Sequence, residues 1–252
     1  MNKRTNFFIK SLYAFIPMHV SNRAVLSVMN ILRRLQLRGK AYADAHRDKN
    51  ERVLGELKRL TPDAFSGRYI ENQKSLADLK LGKSNMAYAG CEVIAVYNAL
   101  KSLNMTHVSL TDLICGFEKD GIIHSGKFGT AVGAMKDHLN RYGLKTVMTY
   151  KKDLMGKLMD ESHTSILTIY NDRSTIGAQI HTVCITRDDA DDPALKGSVS
   201  ERESEVKAHA FYVHNMHGDG RVFGPYKDYE SMMDHLNDGR SMAISLIGID
   251  LQ

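Results

Sequence analysis

Three cysteines, Cys91, Cys115 and Cys184, are the only thiols in the 252 residues, and they differ in setting. Cys91 follows a run of small residues ending in Gly90 and opens an apolar helical pattern of Val93, Ile94, Val96, Tyr97 and Leu100. That places it at a helix N-terminus, where free N–H groups and the helix macrodipole favour an anion. A thiol there is expected to have a lowered pKa and to be nucleophilic at neutral pH. The same N–H groups can hold the oxyanion of a tetrahedral intermediate. Cys115, between Ile114 and Phe117 in a helical pattern, and Cys184, in a strand-like run, read as buried structural thiols. No two cysteines have metal or redox spacing, and an odd count gives no disulfide framework, so the chain reads as a protein of a reducing, cytoplasmic compartment.

A nucleophilic thiol needs a base, and imidazole titrates near neutrality. Two of the eleven histidines open strand-like runs: His181 before Thr182-Val183-Cys184-Ile185, and His209 before Ala210-Phe211-Tyr212-Val213. His181 is the preferred base. It follows the loop Gly177-Ala178-Gln179, and the next strand offers Asn215 as an orienting residue. Phe211, Val213 and Asn215 share one strand face, and an amide on a buried face needs a hydrogen-bond partner such as an imidazole. If His209 were the base, its orienting residue should lie near Arg221-Val222-Phe223-Gly224-Pro225, which has no Asn or Asp. His209 stays open as the alternative.

The stretch from Asn85 through Gly90 and Cys91 into the apolar helix resembles the papain-like cysteine peptidases. It is most similar to the small bacterial branch that includes the peptidase domains of bacteriocin-processing transporters. In that family an amide side chain six residues before the nucleophile donates to the oxyanion. The usual residue is Gln, and Asn85 stands at that position here. The resemblance covers about residues 80–250. It implies a Cys91–His181–Asn215 triad with Asn85 in the oxyanion site, a peptide or protein substrate, and no cofactor or metal. The same triad serves acyl transfer or amidase chemistry, and a catalytically silent peptide-binding module is a third reading.

Elements that position these residues are legible around them. Helices are expected over 91–103, 110–117 and 130–142, the last closed by Gly143, followed by a strand over 145–149. The second half reads as strands at 165–169, 181–186, 211–215, 221–223 and 243–249, with a turn at Gly218-Asp219-Gly220 and a helix over 229–236. The order predicts an α+β fold of papain-like type: a helical half carrying the Cys91 helix, packed on an antiparallel sheet. Ten of the 21 residues 188–208 are charged, which marks an insertion between two strands. His209, His214 and His217 do not make a metal cluster, since 209 and 214 would face opposite ways in a strand. No phosphate loop or dinucleotide motif is present.

The net charge of +5 has a local origin. Residues 1–43 hold eight cations (Lys3, Arg4, Lys10, Arg23, Arg33, Arg34, Arg38, Lys40) and no Asp or Glu. The remainder is near neutral, which argues against nucleic-acid binding by the main domain. The break at Thr61-Pro62-Asp63 and Ser66-Gly67 divides a basic helical extension, 1–66, from a catalytic domain, 67–252. Val25, Leu26, Val28, Met29, Ile31, Leu32 and Leu35 form a helical apolar stripe behind Ser21 as its cap. Three readings of that helix stand: packing on the main domain, peripheral contact with the inner face of a membrane, or a pro-segment over the active site. Lys10 interrupts the apolar run 7–18, no cleavage site follows, and no run is long enough to span a bilayer.

Overall fold

The computed structural model describes residues 22–35, 38–60, 68–127, 129–172, 180–188, 210–217 and 220–251. His209 and most of the charged segment 188–208 lie outside them. Eight α-helices are present among the described residues: α1 (Asn22–Arg34), α2 (Gly39–Leu60), α3 (Met86–Ala89), α4 (Cys91–Ser102), α5 (Leu110–Asp120), α6 (Val132–Arg141), α7 (Lys152–Glu161) and α8 (Tyr229–His235). A short ribbon pairs β1 (Lys80–Leu81) with β2 (Ser84–Asn85). The main sheet contains β3 (Lys145–Thr149), β4 (Thr164–Tyr170), β5 (Ile180–Asp188), β6 (Ala210–His214), β7 (Phe223–Tyr226) and β8 (Met242–Asp250). Its order is β3-β8-β4-β5-β6-β7 and every pair is antiparallel. The fold is α+β.

Strand alternation divides the sheet into two apolar faces. On β4 and β5, Ile166, Tyr170, Cys184 and Ile180 join one cluster with α4, α5 and α6. Leu167, Ile169, Val183 and Ile185 join another with Met155 and Met159 of α7 and Tyr229 and Met232 of α8. The central strands are therefore buried on both sides, which explains why β4 reads as an unbroken apolar and Thr run instead of an alternating one.

α4 is buried nearly all round because it lies between the sheet and the other helices, and Val93, Ile94, Val96 and Leu100 are all inaccessible. α2 packs along α5. Gly39 makes this approach possible, since a Cβ there would lie 2.4 Å from the Glu118 carbonyl oxygen. Asn50 of α2 donates to the Lys80 carbonyl at 3.0 Å and accepts from the Lys80 N–H at 2.8 Å, which ties the helix to β1. Leu54 of α2 enters the main core. The described part of the basic N-terminal segment is thus packed on the helical layer.

Several boundaries differ from expectation. The third helix begins at Val132, two residues late, because Thr130 pairs with Ile122 in an isolated bridge. The strand expected at 221–223 runs instead from Phe223 to Tyr226, through a cis Gly224–Pro225 bond. β6 ends at His214, since Asn215 has φ 62° and turns the chain out of the ladder.

Candidate active site

Asn85 caps α3, its Oδ1 accepting from the Tyr88 N–H at 3.0 Å. One turn later the Gly90 N–H donates to the Met86 carbonyl at 3.0 Å, and α4 starts at Cys91. A Cβ on Gly90 would meet the Met86 carbonyl oxygen at 2.5 Å, so the tight step from α3 into α4 requires glycine. Asn85 makes no hydrogen bond to Cys91; its carbonyl oxygen is committed to capping.

Cys91 is buried, with a relative exposure of 8%. Its thiol donates to Glu92 Oε2 at 3.0 Å. The backbone N–H groups of Thr182 and Glu92 lie near enough to the sulfur to favour its charged form. Glu92 is also buried, in the first turn of a largely apolar helix. Burial, then the charge of Glu92, pushes the Cys91 thiol well above its ordinary pKa, and the Thr182 and Glu92 N–H groups offset this only in part. The expected lowering by the helix terminus does not win. A helix end is worth about 0.3–1 kcal/mol to an adjacent charge, less than one pH unit at about 1.4 kcal/mol each. Desolvation beside a carboxylate outweighs it. Glu92 is itself raised by burial, with the Cys91 thiol and Thr130 hydroxyl pulling it back.

The other thiols have structural surroundings. Cys184 is inaccessible beside Thr164 at 3.7 Å, and burial pushes it up to about 12. Cys115 lies at 3.9 Å from the Ala43 carbonyl, between α5 and α2.

His181 is the second residue of β5, the strand packed against α4, and is partly buried. Its Nε2 lies 2.7 Å from the backbone carbonyl oxygen of Asn215. A carbonyl only accepts, so Nε2 carries the proton and Nδ1 of the neutral ring is the acceptor. Burial lowers the His181 pKa, the Asn215 carbonyl raises it, and the charge of His217 lowers it further. No hydrogen bond or ion pair joins His181 to Cys91. The connection runs through the neighbouring residue, Thr182, whose amide lies near the sulfur.

Asn215 orients His181 by its main chain, not its side chain. The Asn215 amide instead pairs with Gln73: Oδ1 accepts from the Gln73 N–H at 3.2 Å, and Nδ2 donates to Gln73 Oε1 at 3.0 Å. Gln73 Nε2 in turn donates to the Met86 and Ala87 carbonyls at 3.1 and 3.0 Å. A continuous chain of hydrogen bonds therefore runs from the His181 ring through Asn215 and Gln73 to α3, the turn that delivers Cys91. Glu71 braces it. Its carboxylate accepts from the Asn215 N–H at 2.7 Å and meets His214 Nδ1 at 2.6 Å. His214 Nε2 meets the Thr186 hydroxyl at 2.8 Å, and its ring packs on Tyr69 with centroids 4.1 Å apart.

Sequence reasoning did not reach Glu71, Gln73, Glu92 or Thr182. Glu92 carried a usable signal, a charge inside an apolar helical run. Glu71 and Gln73 carried none, because only the distant Asn215 shows that they are enclosed. Among the described residues no group of three His, Cys, Asp or Glu is placed to hold a metal ion.

The arrangement can present a thiol to an acyl carbon, offer N–H groups to a developing oxyanion, and move a proton through Glu92 or Nδ1 of His181. No protein-family model, curated protein or solved structure matches the chain.

Proposed function

We propose that the chain is a thiol-dependent hydrolase with a papain-like arrangement, cutting a peptide or related amide bond through Cys91. The observation that carries this reading is the Thr182 N–H near the Cys91 sulfur, which brings the first turn of α4 onto the strand residue beside a tautomer-fixed His181. The layout of a helical half and an antiparallel sheet supports it.

In this reaction the Cys91 S–H proton passes to a base, and the sulfur bonds to the substrate carbonyl carbon. The carbonyl electron pair moves onto oxygen, facing N–H groups at the start of α4. The tetrahedral species collapses with loss of the amine, which takes the proton. Water then cleaves the thioester and regenerates the thiol. Glu92 is the proton acceptor in contact with the thiol, and His181 Nδ1 is the second candidate base. Transfer of the acyl group to an added amine would mark an acyltransferase on the same residues.

A second reading, a peptide-binding module with a silent thiol, is favoured by the raised Cys91 pKa and the closed Cys91–Glu92 hydrogen bond. Alkylation by iodoacetamide across pH, read per residue by mass spectrometry, separates the two. The hydrolase requires Cys91 to label faster than Cys115 and Cys184, and labelling to slow in His181→Ala. Equal, slow labelling of all three thiols would leave only the binding module. Turnover that survives Cys91→Ala would reject the thiol mechanism outright.

A further inference from the structure

α1 turns a row of large apolar side chains outward. Among its residues with described side chains, Met29, Asn30 and Arg33 face inward. Asn30 fits against Gly133, where a Cβ would come within 2.2 Å of the Asn30 oxygen. Arg33 is buried, donates to the Asp120 carbonyl at 3.0 Å and pairs with the Asp137 carboxylate. Arg33 thus ties the helix to the domain, and Met29 packs against its core. Val28, Ile31 and Leu32, with Leu35 just past the end of the helix, face out, with relative exposures of 53, 58, 46 and 68%. The spacing of three, one and three residues makes one continuous ridge. Of the ten exposed large apolar side chains among the described residues, four lie here, and no other helix carries more than one. Scattered exposed apolar residues need no explanation, but a continuous ridge does.

The charge around the ridge selects its occupant. Arg34 of α1, and Arg38 and Lys40 a few residues on in the chain, are exposed. The chain has no acidic residue before Asp44. The preceding segment, 1–21, carries Lys3, Arg4 and Lys10, so laying it over α1 would gather cations without a counter-charge. A surface that is apolar beneath and anionic at the headgroups complements both features.

We propose that α1 is an in-plane anchor that seats the Val28–Ile31–Leu32–Leu35 ridge in the interface of an anionic phospholipid bilayer, with Arg34, Arg38 and Lys40 at the headgroups. The helix lies in the surface and does not cross it: no described helix is long and apolar enough to span a membrane. The proposal is independent of the chemistry at Cys91.

The test is sedimentation of the full chain with vesicles of mixed phosphatidylcholine and phosphatidylglycerol, against vesicles of phosphatidylcholine alone. Binding is expected to the mixed vesicles, weaker to the neutral ones, and to decline as salt is raised. Ile31→Glu with Leu35→Glu should lower the partition coefficient roughly tenfold or more, because two apolar side chains lose their seat. Arg34→Gln with Arg38→Gln and Lys40→Gln should lower binding to mixed vesicles only. Both positions of the first variant are exposed, so its thermal midpoint should match the parent, and Ile31→Ser with Leu35→Ser repeats the test without added charge. Failure of the parent chain to bind mixed vesicles overturns the proposal, as does binding that survives both double variants. A dimer that the double variants dissociate, with no vesicle binding, would assign the ridge to a second copy of the chain and also overturn it.

Discussion

Burial raises the pKa of the Cys91 thiol most, and a single carboxylate, Glu92, adds to it. Glu92 sits one residue after Cys91, accepts a hydrogen bond from its thiol at 3.0 Å, and adds its charge to a burial penalty already opposing the thiolate. Replacing it with Gln keeps the shape and a hydrogen-bond acceptor but removes the charge. We expect Glu92→Gln to lower the Cys91 pKa and to speed its alkylation several-fold at mildly alkaline pH; an unchanged pH profile would show that burial alone holds the thiol. His138 gives a second test. It stacks on Phe117 with centroids 4.3 Å apart, and burial, helped by Arg141 and Arg33, lowers its pKa to about 4 from 6.5. The unfolded chain therefore binds more protons than the folded one between these values, so stability is complete above about pH 6.5 and falls as pH drops toward 4. The full loss is about 3 kcal/mol. His138→Phe should flatten that part of a denaturant-midpoint profile against pH. The identity of Cys91 and the choice of His181 as candidates were legible because residue type and local pattern coincide there. The partnership of Asn215 with Gln73 was not, because 142 positions separate them and no local pattern encodes which distant group will satisfy an enclosed amide.

α2 owes its position to a few directional contacts more than to an apolar stripe. Asn50 is inaccessible, and both of its hydrogen bonds go to the backbone of Lys80. Asn50→Ala leaves the Lys80 N–H and carbonyl unpaired in an enclosed site, and should cost about 1–3 kcal/mol in chemical denaturation; a loss below a few tenths would mean that water replaces the amide. Gly39→Ala should also destabilise, through the clash with the Glu118 carbonyl. Helices with strong apolar periodicity, α4 and α5, were readable from sequence. α7 was not: Gly156 lies at its middle and only Met155 and Met159 are buried, so the pattern is too sparse to stand out. β7 was misplaced by two residues because Gly224-Pro225 is a turn signal in sequence, yet here it lies at the sheet edge, where a missing N–H is tolerated.

Across the whole molecule, the six-stranded sheet separates a helical layer bearing Cys91 from a smaller layer of α7 and α8. The α+β class follows from sequence order, helices before strands. The degree to which the N-terminal helices belong to the main body does not, because Thr61-Pro62 and Ser66-Gly67 look like a boundary whether or not the flanking elements touch. α2 contributes Leu54 to the core, and His46 of α2 is a 2.7 Å partner of the enclosed Glu118 carboxylate, which also accepts from the Gly82 N–H at 2.7 Å. Deleting residues 1–66 should therefore lower the thermal midpoint and expose apolar surface to dye binding. An unchanged midpoint would show that 67–252 folds independently.

The pairing of β5 with β6 has a practical side. Asp188, the last residue of one strand, is registered directly opposite Ala210, the first of the next. Backbones in such a pair lie about 5 Å apart, a gap that a two-residue turn can close, so the 21 residues from 189 to 209 are not needed to bring the strands together. Loop length enters chain entropy only logarithmically, at about 0.6 kcal/mol per doubling. The junction is therefore a natural port for genetic grafting: a guest protein whose own ends lie close together, such as a fluorescent reporter, could be spliced between Asp188 and Ala210 while the host sheet keeps its register.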